Sequence, residues 1–304
     1  MTSGLEPHSQ EGRSAIITGA GGLGYEAALA LGRAGATIIL ASRNPDKGAA
    51  AVAKIKAAEP SIGVAFELLD LASLASIADF ADRMQARSQK VDLLLNNAGV
   101  MSPPLRQTTA DGLELQFGVN YLGHFALTAR LLPLLRRSAA PRVVNVTSIA
   151  HRFGAIDFED LQSERRYRPG LAYCQSKLAQ AMFTVELQKR SEAGGWGLTS
   201  LAAHPGFAGT DLFANGPGLK SLTALLSRNF LVPLMGHSAA MGAQSLVHAA
   251  ASPLVVGGAL YGPGGLLEMK GETGPRKLAP RATDPGAASH LWRVSEELAG
   301  IPFV

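Results

Sequence analysis

Tyr173 and Lys177 lie four residues apart in a stretch whose apolar spacing is helical. Residues at this separation share one face of a helix, so the phenol and the amine should lie side by side. A free tyrosine has a pKa of about 10, and a nearby ammonium favours the phenolate and lowers that pKa. The spacing therefore predicts a pair that donates a proton to a carbonyl oxygen or accepts one from an alcohol.

A glycine-rich turn near the start of the chain offers a place for a dinucleotide. It follows a predicted strand at residues 14–18 and opens a predicted helix. Glycines at such a turn let the backbone approach a pyrophosphate, which binds at the helix N-terminus. The same pattern also occurs in plain turns, so its position between strand and helix carries the prediction. The residues concerned are Gly19, Gly21, Gly22, Leu23 and Gly24.

The end of the second predicted strand indicates which dinucleotide fits. A carboxylate there would bind the ribose 2′-hydroxyl of NAD, but this chain has Ser42, Arg43 and Asn44 instead. The Arg43 guanidinium is suited to a bidentate contact with a 2′-phosphate. NADP(H) is therefore predicted over NAD(H), against the alternative that Arg43 is an ordinary surface side chain.

Several motifs, in order along residues 14 to 210, resemble those of the short-chain dehydrogenase/reductase family. Tyr173 to Lys177 matches the family's Y-x-x-x-K motif, and the surrounding stretches resemble the retinol dehydrogenase-like subgroup and its bacterial relatives. The other matches are the N-N-A-G motif at Asn96, Asn97, Ala98 and Gly99, the helix asparagine Asn120, the strand-end serine Ser148, and the segment with His204, Pro205, Gly206 and Thr210.

The resemblance implies a role for each matching residue. Tyr173 would be the catalytic acid and base, with Lys177 beside it. Ser148 would hold the reacting oxygen, while Asn120 would order a water that links the lysine to solvent. The hydride would come from the cofactor. Cofactor contacts are implied for Asp70, Leu71, Asn97, Ala98, Gly99, Tyr173, Lys177, Pro205, Gly206 and Thr210.

One departure from the family concerns the glycine turn. The family spaces these residues T-G-x-x-x-G-x-G, whereas the segment from Thr18 to Gly24 is one residue shorter. It also has no basic side chain within the turn. Arg43, with help from Lys47, would therefore have to bind the 2′-phosphate.

The order of predicted elements indicates a single doubly wound, Rossmann-type α/β domain over residues 14–304, after a flexible tail at residues 1–13. The predicted strands are continuous apolar runs, which are typical of a parallel sheet with helices on both faces. Seven strands are expected. Two long helices are predicted over residues 111–137 and 171–192.

Residues 206–236 break the alternation and are rich in Gly, Leu and Phe. Long irregular segments of compact domains often form lids or binding loops. A lid here would line the substrate pocket with apolar side chains, which predicts a bulky apolar or aromatic substrate. The side chains expected to contact it are Phe207, Leu212, Phe213 and also His151.

Composition argues against several classes of protein. The net charge is +4 with a pI of about 9.3, but the basic residues are scattered, so no nucleic-acid partner is expected. The single cysteine, Cys174, allows no intrachain disulfide and no cysteine metal cluster, which suits a reducing cytoplasm. Residues 1–12 lack an apolar run, so no leader or membrane span is expected. By family analogy, the two long helices would form a homodimer interface.

The expected function is NADP(H)-dependent interconversion of a carbonyl and an alcohol on a small lipophilic substrate. A light-dependent protochlorophyllide reductase-like enzyme is an alternative, since its sequences resemble the same subgroup. A dinucleotide-binding redox sensor without catalysis is another, although the intact Ser148, Tyr173 and Lys177 argue against it. A nucleic-acid binder has only the pI in its favour and would show a steep salt dependence of binding.

Replacing Arg43 by aspartate is expected to reverse the cofactor preference from NADP(H) to NAD(H). The carboxylate repels the 2′-phosphate and accepts a hydrogen bond from the ribose 2′-hydroxyl. The measurement is kcat/KM with both cofactors for the wild type and the variant. A wild type that prefers NAD(H) would contradict the prediction, and the shortened glycine turn would then be the first suspect.

Overall fold

Residues 8–206 and 238–303 are described by the computed structural model, and their apolar runs form the strands of one eight-stranded sheet. Most strand positions are fully buried, as expected for a sheet covered on both faces. The strands are β1 Ser14–Thr18, β2 Thr37–Ser42, β3 Val64–Leu68, β4 Leu93–Asn96, β5 Arg142–Val146, β6 Thr199–Ala203, β7 Leu260–Pro263 and β8 Thr273–Arg276.

Helices cover both faces of the sheet and enclose two hydrophobic cores. One core lies under α1, α2 and α6, and the other under α3, α4, α5 and α7. The helices are α1 Gly22–Arg33, α2 Pro45–Ala58, α3 Leu74–Arg87, α4 Gly123–Leu135, α5 Pro169–Gly194, α6 Ala239–Ala251 and α7 Pro285–Ala299.

The sheet order is β3-β2-β1-β4-β5-β6-β7-β8, with β1 to β7 parallel. This confirms the predicted doubly wound, Rossmann-type domain. The predicted count of seven strands is wrong, because β8 pairs antiparallel with β7. The sequence of β8 is TGPR, which has no apolar run, and its proline is tolerated because the strand lies at the sheet edge.

The order of the strands reverses between β1 and β4. This reversal locates the part of the sheet edge where a ligand is expected to bind. In the paired register, Ile17 of β1 lies beside Leu95 of β4. The segments that follow these two strands therefore leave the sheet side by side, at its carboxyl edge. Open α/β sheets bind ligands in the crevice outside such a switch point.

The long helix predicted over residues 111–137 begins later than expected. Gly112 has a φ of 81°, and Thr108 forms a β-bridge with Glu114, so the chain turns there instead of entering a helix. The buried Glu114 carboxylate then accepts the backbone N–H groups of Gln116 and Phe117, at 2.9 and 2.7 Å. Such capping satisfies amides that have no partner within the helix.

A π-helical turn, Phe117–Leu122, separates this cap from α4. It contains Asn120, one of the predicted catalytic residues. Single π-helical turns inside helices occur frequently at functional sites, because they change the direction of the following side chains. The predicted helix thus contains a local irregularity that periodicity alone does not reveal.

The C-terminal segment covers the two helices that were predicted to form a dimer interface. Trp292 of α7 packs edge-on against Phe125 of α4, with ring centroids 5.1 Å apart, and against Phe183 of α5 at 5.8 Å. Phe303 lies 4.9 Å from the Phe125 ring and completes the cluster. Burial of each such ring stabilises the fold by about 1.5–3 kcal/mol.

Part of each of these helices is therefore covered within the chain itself. Residues 123–129 of α4 are all buried, and so are residues 175–184 of α5. Other positions of the same helices stay accessible, among them Pro133 of α4 and Leu171 of α5. The homodimer and its interface stay predictions.

Candidate active site

The carboxyl edge of the sheet brings together the three residues predicted to act on the substrate. Ser148 follows β5 and caps a 3-10 turn, Ile149–Phe153, with its Oγ accepting the Ala150 N–H at 3.2 Å. Tyr173 lies in the second turn of α5, within hydrogen-bonding reach of the Ser148 hydroxyl. The Lys177 Nζ lies 5.7 Å from the centre of the tyrosine ring.

Burial controls the acidity of both side chains of the predicted pair. It raises the pKa of Tyr173 to about 12, and the hydrogen bond from Ser148 acts against this rise. Burial also lowers the pKa of Lys177 to about 7. The expected lowering of the phenol pKa by Lys177 is therefore not found in the chain alone. The reason is that desolvation of the buried phenol outweighs the hydrogen bond from Ser148.

Lys177 is held by two oxygen atoms beneath the phenol. Its Nζ donates to the carbonyl oxygen of Val146, at 3.0 Å, and to Oε1 of Gln180, at 2.8 Å. An ammonium has three N–H groups, so one remains for other partners at the site. Sequence reasoning missed Gln180, although it stands seven residues after Tyr173 and three after Lys177, on the same helix face.

Asn120 connects the segment after β4 with α5. Its Oδ1 accepts the Val100 N–H at 2.7 Å, and its Nδ2 donates to the Val100 carbonyl at 3.0 Å and to Ser176 Oγ at 2.9 Å. The backbone carbonyl oxygen of Asn120 lies 2.9 Å from Nδ1 of His124. Asn120 therefore acts as an anchor in the structure, and its water relay to Lys177 stays a prediction.

The glycine turn and the N-N-A-G motif lie against each other at the carboxyl edge of the sheet. Asn97 Nδ2 donates to the carbonyl of Thr18 at 2.7 Å, and a Cβ added at Gly24 would overlap the carbonyl oxygen of Gly19. A Cβ at Gly99 would lie 3.0 Å from Asn120 Oδ1. Side chains at these positions would crowd neighbouring protein atoms, so glycine lets the turn and the motif pack this closely.

The first turn of α1 is suited to a phosphate group. The helix begins at Gly22, its N-cap Gly21 makes no side-chain capping hydrogen bond, and no acidic residue stands in the first turn. Leu23 follows within that turn. The first N–H groups of a helix attract anions, so these residues fit a dinucleotide pyrophosphate despite the shortened spacing.

Of the predicted ribose contacts at the end of β2, one is exposed and another already caps a helix. Ser42 ends the strand and Arg43 is exposed, and Arg43 has no carboxylate partner in the described part of the chain. Asn44 instead caps α2, with its Oδ1 accepting the Lys47 N–H at 2.9 Å. The Asn44 side-chain oxygen is thus already engaged, whereas the Arg43 guanidinium is free to contact a phosphate.

The predicted adenine contacts follow β3 at the same edge. Asp70 is half-buried, and its Oδ1 accepts the Ala72 N–H at 2.9 Å, which leaves its second oxygen available. The side chain of Leu71 is buried in the hydrophobic core. Leu71 can therefore offer a ligand only its backbone.

His151 does not fit its predicted role as a substrate contact. The ring is buried, with Nδ1 2.6 Å from the Ser148 carbonyl and Nε2 accepting the Ala279 N–H at 3.2 Å. Both ring nitrogens are therefore used by the backbone. Periodicity could not show this, because Ala279 comes from a distant part of the chain.

The last predicted site residues lie after β6. Pro205 and Gly206 are described, and the Gly206 N–H donates to Nδ1 of His204 at 3.2 Å. Thr210 and the predicted substrate contacts Phe207, Leu212 and Phe213 lie outside the described residues, as does the rest of the predicted lid at residues 207–236.

No group of three or more His, Cys, Asp or Glu side chains within residues 8–206 and 238–303 is arranged to hold a metal ion. In the same part of the chain, no helix has the length and apolar character needed to cross a membrane.

The sequence and the fold are similar to those of known proteins. The family model described as short chain dehydrogenase matches residues 13–217. Human Retinol dehydrogenase 12 is 41% identical over 295 residues, which cover 95% of this chain and 87% of that protein. Mouse Polyprenol dehydrogenase is 41% identical over 297 residues, covering 96% of this chain and 85% of that protein.

Solved structures agree with the sequence matches. A protein from Mycobacterium paratuberculosis superimposes with a TM-score of 0.82 and 38% identity, covering 100% of this chain and 99% of that one. The RhlG/NADP active-site complex of Pseudomonas aeruginosa gives a TM-score of 0.64 at 27% identity, covering 84% of this chain and 96% of that one.

Burial of Lys177 predicts a measurable pH dependence of stability. The unfolded state holds the lysine proton up to the ordinary pKa of 10.5, whereas the folded state releases it near 7. The unfolded chain therefore binds more protons between these values, and folding stability rises with pH by up to about 1.4 kcal/mol per unit. Lys177→Met should remove this slope between pH 7.5 and 9.5, as measured by urea unfolding.

The exposed Lys56 on α2 provides the matched control, because Lys56→Met should leave the slope of the wild type unchanged. Parallel stability curves for the wild type and Lys177→Met would show that the lysine keeps its ordinary acidity in the folded chain.

Proposed function

Since the chain belongs to the short-chain dehydrogenase family, we propose that it interconverts a carbonyl compound and an alcohol by hydride transfer, with NADP(H) as the preferred cofactor. The observation that supports this best is the meeting of the Tyr173 phenol, the Ser148 hydroxyl and Lys177 at the carboxyl edge, beside the glycine turn. Three groups from β5 and α5 then surround the place where a reacting oxygen would lie.

In the direction of reduction, the Ser148 hydroxyl donates a hydrogen bond to the substrate carbonyl and orients it. The hydride comes from the bound cofactor. Tyr173 then gives its proton to the developing alkoxide. With its pKa raised to about 12, the phenol keeps that proton at neutral pH until an alkoxide needs it. The phenolate then regains a proton from solvent, and positive charge on the nearby Lys177 stabilises it until it does.

For oxidation of an alcohol, the same phenol must first lose its proton. Positive charge on Lys177 favours that loss, and the Val146 carbonyl and Gln180 hold the amine in place for it. The acidities of the chain alone favour the neutral phenol and so suit the reductive direction. Ser148 would hold the alcohol oxygen in either direction.

The proposed cofactor contacts follow from the observed turn. The N-terminus of α1 would bind the pyrophosphate, and Arg43 would bind the 2′-phosphate. The absence of any acidic residue from the end of β2 supports the preference for NADP(H). The similar RhlG structure contains NADP, which agrees with this proposal.

Exposed apolar side chains at the carboxyl edge support a bulky apolar substrate. Leu105 follows β4, Phe153 follows β5 and Leu171 precedes Tyr173 on α5, with exposed fractions of 73%, 71% and 54%. Large apolar side chains exposed near a cleft often mark a binding surface. Retinol and polyprenol, named for the two similar dehydrogenases, are apolar alcohols, which supports the same substrate class here.

The proposed location is the cytoplasm. The single cysteine, Cys174, is compatible with a reducing compartment. Burial raises the pKa of its thiol, so the unreactive protonated form prevails at neutral pH.

Tyr173→Phe should lower kcat by at least about 100-fold while leaving the Kd for NADPH within about twofold, because only the transferred proton is removed. Steady-state rates and cofactor fluorescence titration measure the two quantities. Tyr261→Phe on β7 is the control, since its hydroxyl bonds only to the Val256 N–H among the described partners. A Tyr173→Phe variant with wild-type turnover would remove the tyrosine from the proposed mechanism.

A series of straight-chain aldehydes with increasing length should show rising kcat/KM. Each methylene that leaves water contributes roughly 0.8 kcal/mol, or about fourfold, until the pocket is filled. Retinal and aromatic aldehydes extend the series, and glyceraldehyde serves as a small polar control. A flat or falling series, with the polar aldehyde reduced best, would contradict the apolar substrate class.

A further inference from the structure

The turn between β7 and β8 holds an acidic side chain in a costly backbone conformation. Leu267 and Glu268 have φ values of 51° and 56°, in the left-handed region that residues with a Cβ rarely adopt. Such residues persist where surrounding contacts hold them in place. The side chains of Leu266 and Leu267 have exposed fractions of 79% and 67%. Apolar packing of these side chains therefore does not stabilise the turn. Backbone hydrogen bonds close the turn, among them the Glu268 N–H to the Gly265 carbonyl at 2.9 Å, and the Glu268 carboxylate adds side-chain contacts to other segments.

That carboxylate has two partners from different segments. Its Oε1 accepts from Nη2 of Arg152 at 2.8 Å, and its Oε2 lies 3.1 Å from Nε2 of His204. The two bonds use both carboxylate oxygens. Arg152 and His204 come from 116 and 64 residues away in the chain, so the contact joins three separate segments.

The hydrogen-bonding pattern assigns one tautomer to His204. A backbone amide can only donate, so Nδ1, which faces the Gly206 N–H at 3.2 Å, must be an acceptor. The ring proton then resides on Nε2 and is donated to Glu268. Burial lowers the pKa of His204 to about 4, so the ring is neutral at pH 7. The carboxylate therefore selects the tautomer that holds the Gly206 amide.

Both segments held by Glu268 border the proposed active site. Arg152 belongs to the turn that Ser148 caps, Ile149–Phe153. Gly206 follows β6 in the segment proposed to contact the cofactor. The His204 ring is also fixed from β7, because a Cβ at Gly262 would overlap it. One carboxylate thus links the position of the serine turn to that of the Pro205-Gly206 turn.

We propose that Glu268 is a positioning residue for the hydride-transfer site: through His204 it sets the Gly206 amide, and through Arg152 it holds the Ser148 turn. This inference rests on the proposed function. Glu268 touches neither substrate nor reacting atoms. Glu268 instead fixes the distance between the Pro205-Gly206 turn, on the proposed cofactor side, and the turn that Ser148 caps.

Glu268→Gln tests the inference with little change in volume. Glutamine has an NH₂ group in place of one carboxylate oxygen, so it cannot accept at both the Arg152 and the His204 positions. Where its NH₂ group faces His204, the ring must present Nε2 as an acceptor, and the Gly206 N–H loses its partner. We expect the Kd for NADPH to rise by about tenfold or more, the loss typical of a broken charge-assisted hydrogen bond. The KM for NADPH should rise more than kcat falls.

A second measurement separates positioning from general stability. Hydrogen exchange of the peptide that contains Gly206 should be faster in Glu268→Gln, while the thermal midpoint stays within a few degrees of the wild type. Glu272→Gln, an exposed acid on the same turn, should leave exchange, Kd and KM unchanged. In a His204→Phe background, Glu268→Gln should add less than about twofold to the Kd, since its route to Gly206 is already lost.

The results distinguish this inference from the proposed function. A wild type that binds and turns over NADPH, with Glu268→Gln matching Glu272→Gln in Kd, KM and exchange, would overturn the role of Glu268 alone. A full additional loss in the His204→Phe background would overturn the route through His204. A wild type that binds neither NADPH nor NADH would overturn the proposed function and the positioning role with it.

Discussion

The hydroxyl of Thr18, at the end of β1, joins the proposed cofactor side of the molecule to its proposed catalytic side. Its Oγ1 accepts the backbone N–H groups of Asn97 and Ala98, each at 2.9 Å. It also lies 2.9 Å from Nε2 of the fully buried His124. These bonds hold the start of the glycine turn against the segment that follows β4. The crevice at the switch point has its shape because these two segments cannot separate.

The same bonds assign the state of His124. The backbone carbonyl of Asn120, 2.9 Å from Nδ1 of His124, can only accept, so Nδ1 carries the ring proton. In a neutral ring Nε2 is then an acceptor for the Thr18 hydroxyl, which also lies 3.3 Å from the Leu95 carbonyl oxygen. Burial lowers the pKa of His124 to about 4, in agreement with a neutral ring. Asn120 in turn bonds to Ser176 on α5, so one connected set of hydrogen bonds runs from the glycine turn to the helix of Tyr173.

At the α5 end of these hydrogen bonds, burial shifts the pKa values of two side chains in opposite directions. It raises the pKa of Tyr173 and lowers that of Lys177, so it favours the neutral form of each. Titratable groups with strongly shifted pKa values in a cleft are typical of functional sites, because stability alone does not favour a buried amine. Gln180 is likewise buried at some cost in stability. Its Oε1 accepts from Lys177, while its Nε2 is buried without a partner among the described residues.

Local patterns in the sequence determined the fold class and pointed to most of the side chains of the proposed catalytic site. Apolar runs show a buried parallel sheet, and the spacing of Tyr173 and Lys177 places both on one helix face, since these patterns depend only on neighbours in the chain. The tertiary structure decided the rest. The eighth strand, the late start of the helix before Asn120, the cover of α7 over α4 and α5, and the partners of His151 and Gln180 all depend on packing. The sign of the Tyr173 pKa shift also depended on burial, because desolvation is set by residues that are distant in sequence and adjacent only in the folded chain.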